Sequence, residues 1–321
     1  MQRSTLRAYS PWNGLSQSHW KESRVPRLSI VIPFRHDEER LETTLLSVLE
    51  ASPDQTEIIV AHDGSYSDPF DLRDEVLFVQ VDGKCSAVEL INAGVMAACA
   101  PIVHILSDGV SVGSEWCLGA IDLMEQDRNL SAVAMAVQGP HGEPSFGISR
   151  KSVRDPSITN IERAHSTRGS DDVAPRLECG FFRRKVLLAL GGFNERLGMM
   201  GAAIDFAWSM EALDLYAECD HDECVEASEL TTRLNAAELE TLSNLAVAYG
   251  RTTGGLGAAA KALLRGALGG QLRLALPWIR GILAKPKHSL AVRLAIAEEQ
   301  LAPQPDVRQF PSGSETLRRA A

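Results

Sequence analysis

The chain has 321 residues and is 45% hydrophobic, which is enough for one large or two ordinary domains with a buried core. Its net charge of −10 is uneven: residues 251–321 contain 11 basic and 4 acidic residues, so the first 250 residues have a net charge of −17. This balance excludes nucleic-acid binding through a general basic surface of the first part, and leaves only the C-terminal region to favour a polyanion or an acidic membrane face.

After a polar stretch over residues 1–26, which predicts a flexible lead-in, the sequence alternates between strand and helix patterns. The apolar, β-branched run 28–33 is typical of a buried parallel strand, and apolar residues at helical spacing between 41 and 49 predict a helix after it. An apolar strand from residue 57, strands at 75–81 and 101–106 and a helix at 86–98 continue the pattern. This alternation predicts an open, mostly parallel α/β sheet flanked by helices, with right-handed crossovers.

Polar residues follow the predicted strands directly, where sheets of this kind bind their ligands. They are the segments 34–36, 62–65 and 107–109, and two of them contain an Asp-Gly pair, at Asp63 and at Asp108. An Asp-Gly pair favours a tight turn whatever the function. Two such pairs on one sheet edge favour a ligand site.

Four blocks in chain order form a more specific pattern. They are the strand and helix run 28–51, the segment 58–69, the segment 91–121 and the segment 179–197, which contains Gly-Gly-Phe-Asn-Glu. Together they resemble the family-two glycosyltransferases of GT-A fold, and the resemblance covers roughly residues 28 to 215. It implies a GT-A-like sheet, an inverting transfer, a nucleotide-sugar donor at the strand ends and an acceptor that enters from the other side.

The resemblance also implies roles for individual residues. Pro33 and Arg35 would border the nucleotide. The Asp63 carboxylate, at a strand end, would accept a hydrogen bond from an N–H group of the base, and Gly64 would let the backbone turn away after it. Asn92 matches an asparagine that lies near the diphosphate in the family. The alternative for Asn92 is an ordinary amide in a helix interior.

The metal-binding motif departs from the family pattern. Family members usually have Asp-x-Asp after the fourth strand, whereas this chain has Ser107, Asp108 and Gly109. A divalent cation, Mg²⁺ or Mn²⁺, could still be held by the Asp108 carboxylate and the Ser107 hydroxyl, with its other ligands from water and phosphate. The sequence supports such a site less than the family pattern would.

The position of the expected catalytic base also differs. The family has Glu-Asp-x-Asp-Leu where this chain has residues 202–206, so Ala203 replaces the acid that deprotonates the acceptor. Asp205 lies about 200° around a helix from that position, which favours a structural aspartate over a catalytic one. A transferase would need another acid, and the candidates are Asp171, Asp172, Glu195, and Asp205 after a helix shift.

Two functions of different class therefore remain open. One is a glycosyltransferase, possessing weak activity, that acts on an unknown acceptor. The other is a nucleotide-sugar-binding or scaffold protein that has lost turnover. The altered metal and base positions favour the second, and the retained Asp63, Asp108 and Gly-Gly-Phe-Asn-Glu block favour the first. We prefer the transferase, because a retained donor pocket is easier to explain if a donor is used.

Two polar segments have both a functional and a structural interpretation. Arg183 and Arg184 could pair with a diphosphate, but a solvated start to an amphipathic helix is the preferred interpretation. The segment 218–224, Glu-Cys-Asp-His-Asp-Glu-Cys, contains metal-ligating residue types. Its spacing fits no established zinc pattern, so a solvated acidic loop is preferred there.

The resemblance ends near residue 230, and we predict a transferase-like domain over 27–230, a basic helical extension over 231–300 and a disordered tail over 301–321. Within the extension, the segment 254–287 mixes apolar residues with lysine and arginine, so it would pack against the domain or lie on an anionic membrane surface. The six cysteines lack CxxC spacing, and no signal peptide or run of 18 uncharged apolar residues is present. The sequence predicts a cytoplasmic protein, either free or peripheral at the inner face of the membrane.

Overall fold

A computed structural model describes residues 26–140, 144–149, 173–230 and 288–302, together with 234–235, 237–238, 241–242, 245 and 249. Several predictions concern residues outside this set. They are the flexible lead-in, the base candidates Asp171 and Asp172, the basic segment 254–287 and nearly all of the C-terminal tail.

The first half of the described chain alternates strands and helices as predicted. The elements are β1 (Leu28–Phe34), α1 (Glu38–Ala51), β2 (Thr56–His62), a 3₁₀ turn (Leu72–Asp74), β3 (Val76–Gln80), α2 (Ala87–Ala97) and β4 (Ile102–Leu106). Polar caps fix where the helices begin. The Asp37 side chain accepts a hydrogen bond from the Arg40 N–H at the start of α1, and Ser86 and Glu89 form a capping box at the start of α2.

The second half adds further strands and, within the described residues, four helices. The elements are β5 (Val110–Ser111), α3 (Leu118–Gln126), β6 (Leu130–Gln138), β7 (Ile148–Ser149), β8 (Val173–Ala174), β9 (Cys179–Arg183), α4 (Arg184–Ala189), α5 (Met199–Ala212), β10 (Tyr216–Ala227) and α6 (His288–Leu301). Strands β7 and β8 form a separate antiparallel pair. The helix α6 lies within the predicted helical extension.

The main sheet has the strand order β3-β2-β1-β4-β9-β6-β10-β5. The strands β3, β2, β1 and β4 are parallel, β9 is antiparallel to both of its neighbours, and β10 is parallel to β6. In this register Phe34 pairs with His62, and Val31 pairs with Ile105. The strands β1, β2 and β4 therefore end at the same edge, which confirms the predicted α/β sheet and places the loops after them side by side.

Hydrophobic cores cover both faces of the sheet. Alternate residues of β1 point to opposite faces, since Val31 belongs to one core and Ile30 and Ile32 belong to the other. The first core is covered by α2, α4, α5 and α6, and the second by α1 and α3. Helix α6 contributes the buried side chains of Leu290, Leu294 and Ala297 to the first core. Leu242 and Tyr249, which precede this helix in the chain, are buried in the same core. The domain boundary at residue 230 stays a prediction, but the core extends beyond it.

The prediction of a solvated loop at 218–224 is wrong, because this segment lies within β10. Its backbone pairs with β6 up to Asp220 and resumes at Cys224 after a shift in register, so a bulge takes up the extra residues. Asp220 is buried and accepts a hydrogen bond from the Asp222 N–H at 3.0 Å. Strand pairing uses backbone groups, which explains how an acidic sequence can occupy a strand.

The structure also bears on the membrane and cysteine predictions. Within the ranges given above, no helix has the length and apolar character needed to span a bilayer. The six cysteines all lie in those ranges, and none of them forms a disulfide there.

Candidate functional site

Three polar segments meet at the edge where β1, β2 and β4 end. They contain Arg35, Asp63 and Asp108, and the loop after β1 lies between the other two. The Ser65 hydroxyl donates a hydrogen bond to the Arg35 carbonyl at 3.0 Å, which ties the loops after β1 and β2 together. Arg35 lies within electrostatic range of Asp108. The sheet thus brings the sequence-predicted residues at the strand ends into one region.

Asp63 is a partly exposed carboxylate in a tight turn. The Ser65 N–H donates to Asp63 Oδ1 at 3.2 Å, and hydrogen bonds from Ser65 lower the pKa of Asp63 below its usual value. Gly64 has φ +90°, which a glycine adopts without strain. Asp63 is therefore an ionised hydrogen-bond acceptor that a ligand can reach.

An aromatic cluster lies beneath this turn. The Tyr66 ring stacks on Phe78 with centroids 5.6 Å apart, and Phe34 meets its edge at 5.3 Å. The Tyr66 hydroxyl is buried and has no hydrogen-bond partner among the described residues. The cluster fixes the loop that carries Asp63. Tyr66 was not identified from the sequence, which offers no periodic or motif signal for it.

The turn after β4 is held against the start of α1. The Gly109 N–H donates to Thr44 Oγ1 at 2.9 Å, and Gly109 has φ +81°. Burial raises the pKa of Asp108, while the guanidinium groups of Arg40 and Arg35 act in the opposite direction. The Ser107 hydroxyl is buried without a hydrogen-bond partner in the part of the chain that is described.

Arg40, a residue that the sequence analysis missed, lies directly over this turn. Its Nη2 is 3.4 Å from the Asp108 carbonyl oxygen, and its Nη1 is 3.1 Å from Glu229 Oε2. Its Nε is buried and has no partner among the described residues. The only sequence signal for Arg40 is its place in the first turn of the helix that follows β1.

A cleft of about 540 Å³ opens beside Arg40 and Gly109. Its walls come from the first turns of α1, the turn after β4 and the carboxyl ends of β6 and β10. The acidic side chains of Glu39 and Glu226 line it together with Arg40. The lining residues are Glu39, Arg40, Thr43, Gly109, Ser111, Gln138, Gly139, Pro140, Glu226, Ala227 and Ser228.

The residues at this turn do not fit a protein-held divalent cation. Asp108 is the one carboxylate of the three-residue motif, and no group of three or more His, Cys, Asp or Glu side chains in the described ranges is placed to hold a metal. An ideal Cβ at Gly109 would lie 2.6 Å from Arg40 Nε and would also collide with Ser228 Oγ. The space for a second motif carboxylate is therefore filled by a guanidinium group.

Pro33 and Asn92 lie away from the exposed loops. Pro33 is buried inside β1, where it pairs with Ala61. The Asn92 side chain accepts a hydrogen bond from the Phe193 N–H at 2.8 Å and donates to the Phe193 carbonyl at 2.9 Å and to Glu195 Oε1 at 3.0 Å. Asn92 thus holds the Gly-Gly-Phe-Asn-Glu block in place.

Asp205 is 2% exposed and lies inside the protein. The Tyr249 hydroxyl donates to its Oδ1 at 3.0 Å, and Arg293 Nη1 is 3.7 Å from its Oδ2. Burial raises the pKa of Asp205, against the effect of Arg293. Ala203, at the place of the expected base, is also 2% exposed. Neither side chain is open to solvent.

Glu195 differs from Asp205 because it is exposed. Burial raises the pKa of Cys85, and the nearby charges of Glu89, Asp63 and Glu195 raise it further. Glu195 and Asp63 are therefore both close enough to Cys85 to affect its pKa. Of the base candidates within the described residues, Glu195 is the one with a carboxylate open to solvent beside this edge.

The solvated interpretation of Arg183 is wrong. Arg183 Nε donates to the Leu130 carbonyl at 2.9 Å, and its Nη2 donates to the carbonyls of Met124 and Asp127 at 2.7 Å and 3.1 Å. These carbonyls follow or end α3, where unpaired backbone acceptors attract a cation. Arg183 closes the end of α3, and its guanidinium is not free for a diphosphate.

No protein-family model and no curated protein match the sequence. Among solved structures, the chain is similar to GalNAc-T7, which was crystallised with UDP, GalNAc and Mn²⁺: the TM-score is 0.55 at 15% identity, over 70% of this chain and 48% of that one. It is also similar to S. aureus TarS, with a TM-score of 0.55 at 12% identity over 85% and 53% of the two chains. For the shorter TarS 1–349 the TM-score is 0.50 at 13% identity, over 85% and 87%.

The chain spans about half the length of GalNAc-T7 and of the longer TarS structure. At these low identities the similarity concerns the fold and not the substrates. The shared architecture is the open sheet with β1, β2 and β4 ending at one edge and helices on both faces. The chain has the fold of the GT-A glycosyltransferases.

Proposed function

We propose that this protein is a glycosyltransferase that moves a sugar from a nucleotide-sugar donor to an acceptor hydroxyl. The observation that carries the proposal is the meeting of Arg35, Asp63 and Asp108 at the carboxyl edge of β1, β2 and β4, in a GT-A fold. In open α/β sheets this edge is where ligands bind. UDP is the first probe to use, because GalNAc-T7 was crystallised with it.

Asp63 is the residue proposed to recognise the base. It is ionised and partly exposed, so it can accept a hydrogen bond from an N–H group of a nucleobase. Arg35 is exposed on the neighbouring loop and would lie along the nucleotide. Asn92 keeps the structural role that its contacts support, and Pro33 would border the site from within β1.

For the general base we propose Glu195. Its exposed carboxylate would take the proton of the acceptor hydroxyl while that oxygen forms a bond to the anomeric carbon. The bond from this carbon to the phosphate oxygen breaks at the same time, and the nucleoside diphosphate leaves with the bonding electrons. The Asn92 amide, which donates to Glu195 Oε1 at 3.0 Å, would orient the carboxylate.

Calorimetry with UDP tests donor recognition. Asp63→Ala should weaken binding by about 1.5–3 kcal/mol, the worth of a hydrogen bond to a charged group. Asp54→Ala is a matched control, because Asp54 is an exposed acid just before β2, at the opposite edge of the sheet. Equal affinity of wild type and Asp63→Ala would remove Asp63 from the site.

Release of UDP from UDP-sugars, measured with candidate acceptors, tests turnover. Glu195→Gln should lower turnover by about 10²- to 10⁴-fold and leave UDP affinity unchanged. Glu298→Gln, on the exposed face of α6, is the control. Unchanged turnover in Glu195→Gln would exclude Glu195 as the base.

The second candidate function is a nucleotide-sugar-binding or scaffold protein without turnover. The observation in its favour is the buried alanine at the place of the expected base. UDP binding that is weakened by Asp63→Ala, together with no sugar transfer or donor hydrolysis, would establish this alternative. Attachment to an anionic membrane surface through 254–287 remains a proposal under either function.

A further inference from the structure

Two guanidinium groups lie near Asp108, at the turn where the family that the sequence resembles has a metal-binding pair of aspartates. Arg40 and Arg35 both act on the Asp108 carboxylate. Arg35 is exposed, and the Arg40 side chain is 31% exposed. Asp37 and Glu229 also act on Asp108, so the turn combines three carboxylates with two permanent positive charges, and an anion binds here where a guanidinium exchanges its acidic partner.

Arg40 occupies the space that the second motif acid would need. A Cβ at Gly109 would lie 2.6 Å from Arg40 Nε, which is closer than side-chain atoms approach one another. Arg40 in its present position and an acid at residue 109 exclude each other. The glycine in the motif is thus matched to the arginine on α1.

The guanidinium group of Arg40 has binding capacity that its present contacts do not use. Its Nε is buried, so a ligand would meet the Nη1 and Nη2 groups. Its Nη2 contact with the Asp108 carbonyl is long, at 3.4 Å, and its ion pair joins a Glu229 side chain that is 73% exposed. Exposed ion pairs contribute little to stability, so Arg40 can exchange this partner at small cost.

We propose that Arg40, assisted by Arg35, supplies the positive charge for the donor's diphosphate, so that nucleotide binding requires no divalent cation. This inference rests on the proposed function. A guanidinium donates two parallel hydrogen bonds to phosphate oxygens, and it stabilises the negative charge that grows on the leaving diphosphate. Glu39 and Glu226 line the same cleft as Arg40 and repel phosphate, so a diphosphate in this cleft would lie against the guanidinium and away from these two carboxylates.

The N-terminus of α1 favours the same placement. This helix is 14 residues long, and Arg40 lies in its first turn. The positive end of a helix dipole adds to the attraction of an anion, although Asp37 already caps one backbone N–H. The helix end supplements the two arginines here and would not form a site without them.

Calorimetry of UDP binding to the full chain, in EDTA and then with Mn²⁺, tests the inference. Wild type should bind with about equal affinity in both buffers. Arg40→Gln should weaken binding by about 10- to 100-fold in both, through loss of a charge-assisted contact. Arg27→Gln is the matched control, because Arg27 forms an exposed ion pair with Glu125 at the opposite end of β1. This variant should bind UDP as tightly as wild type does.

Glu229→Gln separates a ligand role for Arg40 from a structural one. If Arg40 serves only the ion pair, Glu229→Gln should weaken UDP binding as much as Arg40→Gln does, and the inference would be overturned. We expect Glu229→Gln to bind at least as tightly as wild type, because it frees the guanidinium. Thermal melting shows which variants fold. If Arg40→Gln does not fold, Arg40→Lys takes its place. This variant keeps the positive charge but loses the paired N–H donors of the guanidinium group, so its affinity for UDP should lie between those of wild type and a variant without the charge.

The other outcomes are also decisive. Binding that occurs only with Mn²⁺ would overturn the inference and leave the proposed function intact. If both Arg40 variants bind UDP with wild-type affinity, the inference is likewise overturned and the proposed function stays intact. Absence of UDP binding in both buffers would overturn the proposed function and this inference with it.

Discussion

Replacement of Arg293 by methionine would test the buried network between α6 and α5. Arg293 Nη2 donates to the Tyr249 hydroxyl at 2.6 Å and to Ser209 Oγ at 2.9 Å, and Nη1 lies 3.7 Å from Asp205 Oδ2. Asp205 is 2% exposed. Loss of the guanidinium leaves a buried carboxylate whose nearest described cation is gone, while methionine preserves the apolar part of the side chain.

The expected cost follows from this geometry. Removal of one partner from a buried ion pair costs about 3–5 kcal/mol, because the other charge stays buried. Arg293 is 29% exposed and the Tyr249 hydroxyl still donates to Asp205, so the lower end of that range, about 3 kcal/mol, applies here. A loss of this size is a large fraction of the stability of a typical domain.

The cost should depend on pH in a direction set by Asp205. Burial raises the pKa of Asp205 above its unfolded value, so the folded state binds more protons than the unfolded chain between the two values. Stability from this group is therefore present at low pH and is lost as pH rises through that interval. Without Arg293 the folded pKa rises further, so the penalty for Arg293→Met should be largest near pH 7 and smaller near pH 5.

Urea denaturation followed by circular dichroism measures these differences. Arg27→Met is the control: it breaks an exposed ion pair and should cost less than about 1 kcal/mol. Asp205→Asn in the Arg293→Met background should recover part of the stability near pH 7, because it removes the buried charge. Equal stabilities of Arg293→Met and Arg27→Met, or no recovery in the double variant, would refute the reasoning.

Three further predictions concern the base position, the asparagine clamp and the basic segment. Ala203→Asp buries an unpaired carboxylate at a site that is 2% exposed, so it should cost several kcal/mol in urea denaturation and give no gain in UDP-sugar turnover; a stable and faster variant would contradict the buried placement. Asn92→Ala should lower the free energy of unfolding by about 2 kcal/mol, because it leaves the Phe193 backbone groups without their partner, and it should not change UDP affinity. Normal stability together with weaker UDP binding would instead support a role for Asn92 at the diphosphate. If 254–287 attaches to membranes electrostatically, the chain should float with anionic vesicles at low salt and not with neutral ones, whereas binding that ignores lipid charge would contradict this.

Local patterns were sufficient to predict the first half of the sheet and the edge that carries the candidate site. Apolar runs and helical spacing indicate β1 to β4 with α1 and α2, since each signal lies within a few neighbouring residues. The Asp-Gly pairs at Asp63 and Asp108 follow directly from two of these strands. Parallel strands must then bring both turns to one edge, so that part of the site is a consequence of topology.

The contacts that determine the chemistry join residues far apart in the chain, and no local pattern indicates them. Arg40 and Asp108 are separated by 68 positions, and Arg293 and Ser209 by 84. The insertion of antiparallel β9 between β4 and β6 is equally non-local. The acidic segment 218–224 misled in another way, because charge content predicts exposure whereas strand pairing depends on the backbone.

One of the two departures from the pattern of the resembled family, Gly109, has other side chains where an acid would lie, and these side chains determine what its reversal can achieve. At Gly109, aspartate alone would meet both Arg40 Nε and Ser228 Oγ, and it would require φ +81°, a conformation that aspartate tolerates better than most residues. Gly109→Asp should therefore fold less stably and gain no dependence on metal. Gly109→Asp combined with Arg40→Ala and Ser228→Gly removes both collisions and restores a pair of carboxylates, so UDP binding should become weaker in EDTA than in Mn²⁺. Calorimetry in the two buffers gives the comparison. If UDP binding by Gly109→Asp alone depends on Mn²⁺, Arg40 moves aside freely. Its position over the turn would then not determine whether a guanidinium group or a divalent metal ion binds the diphosphate.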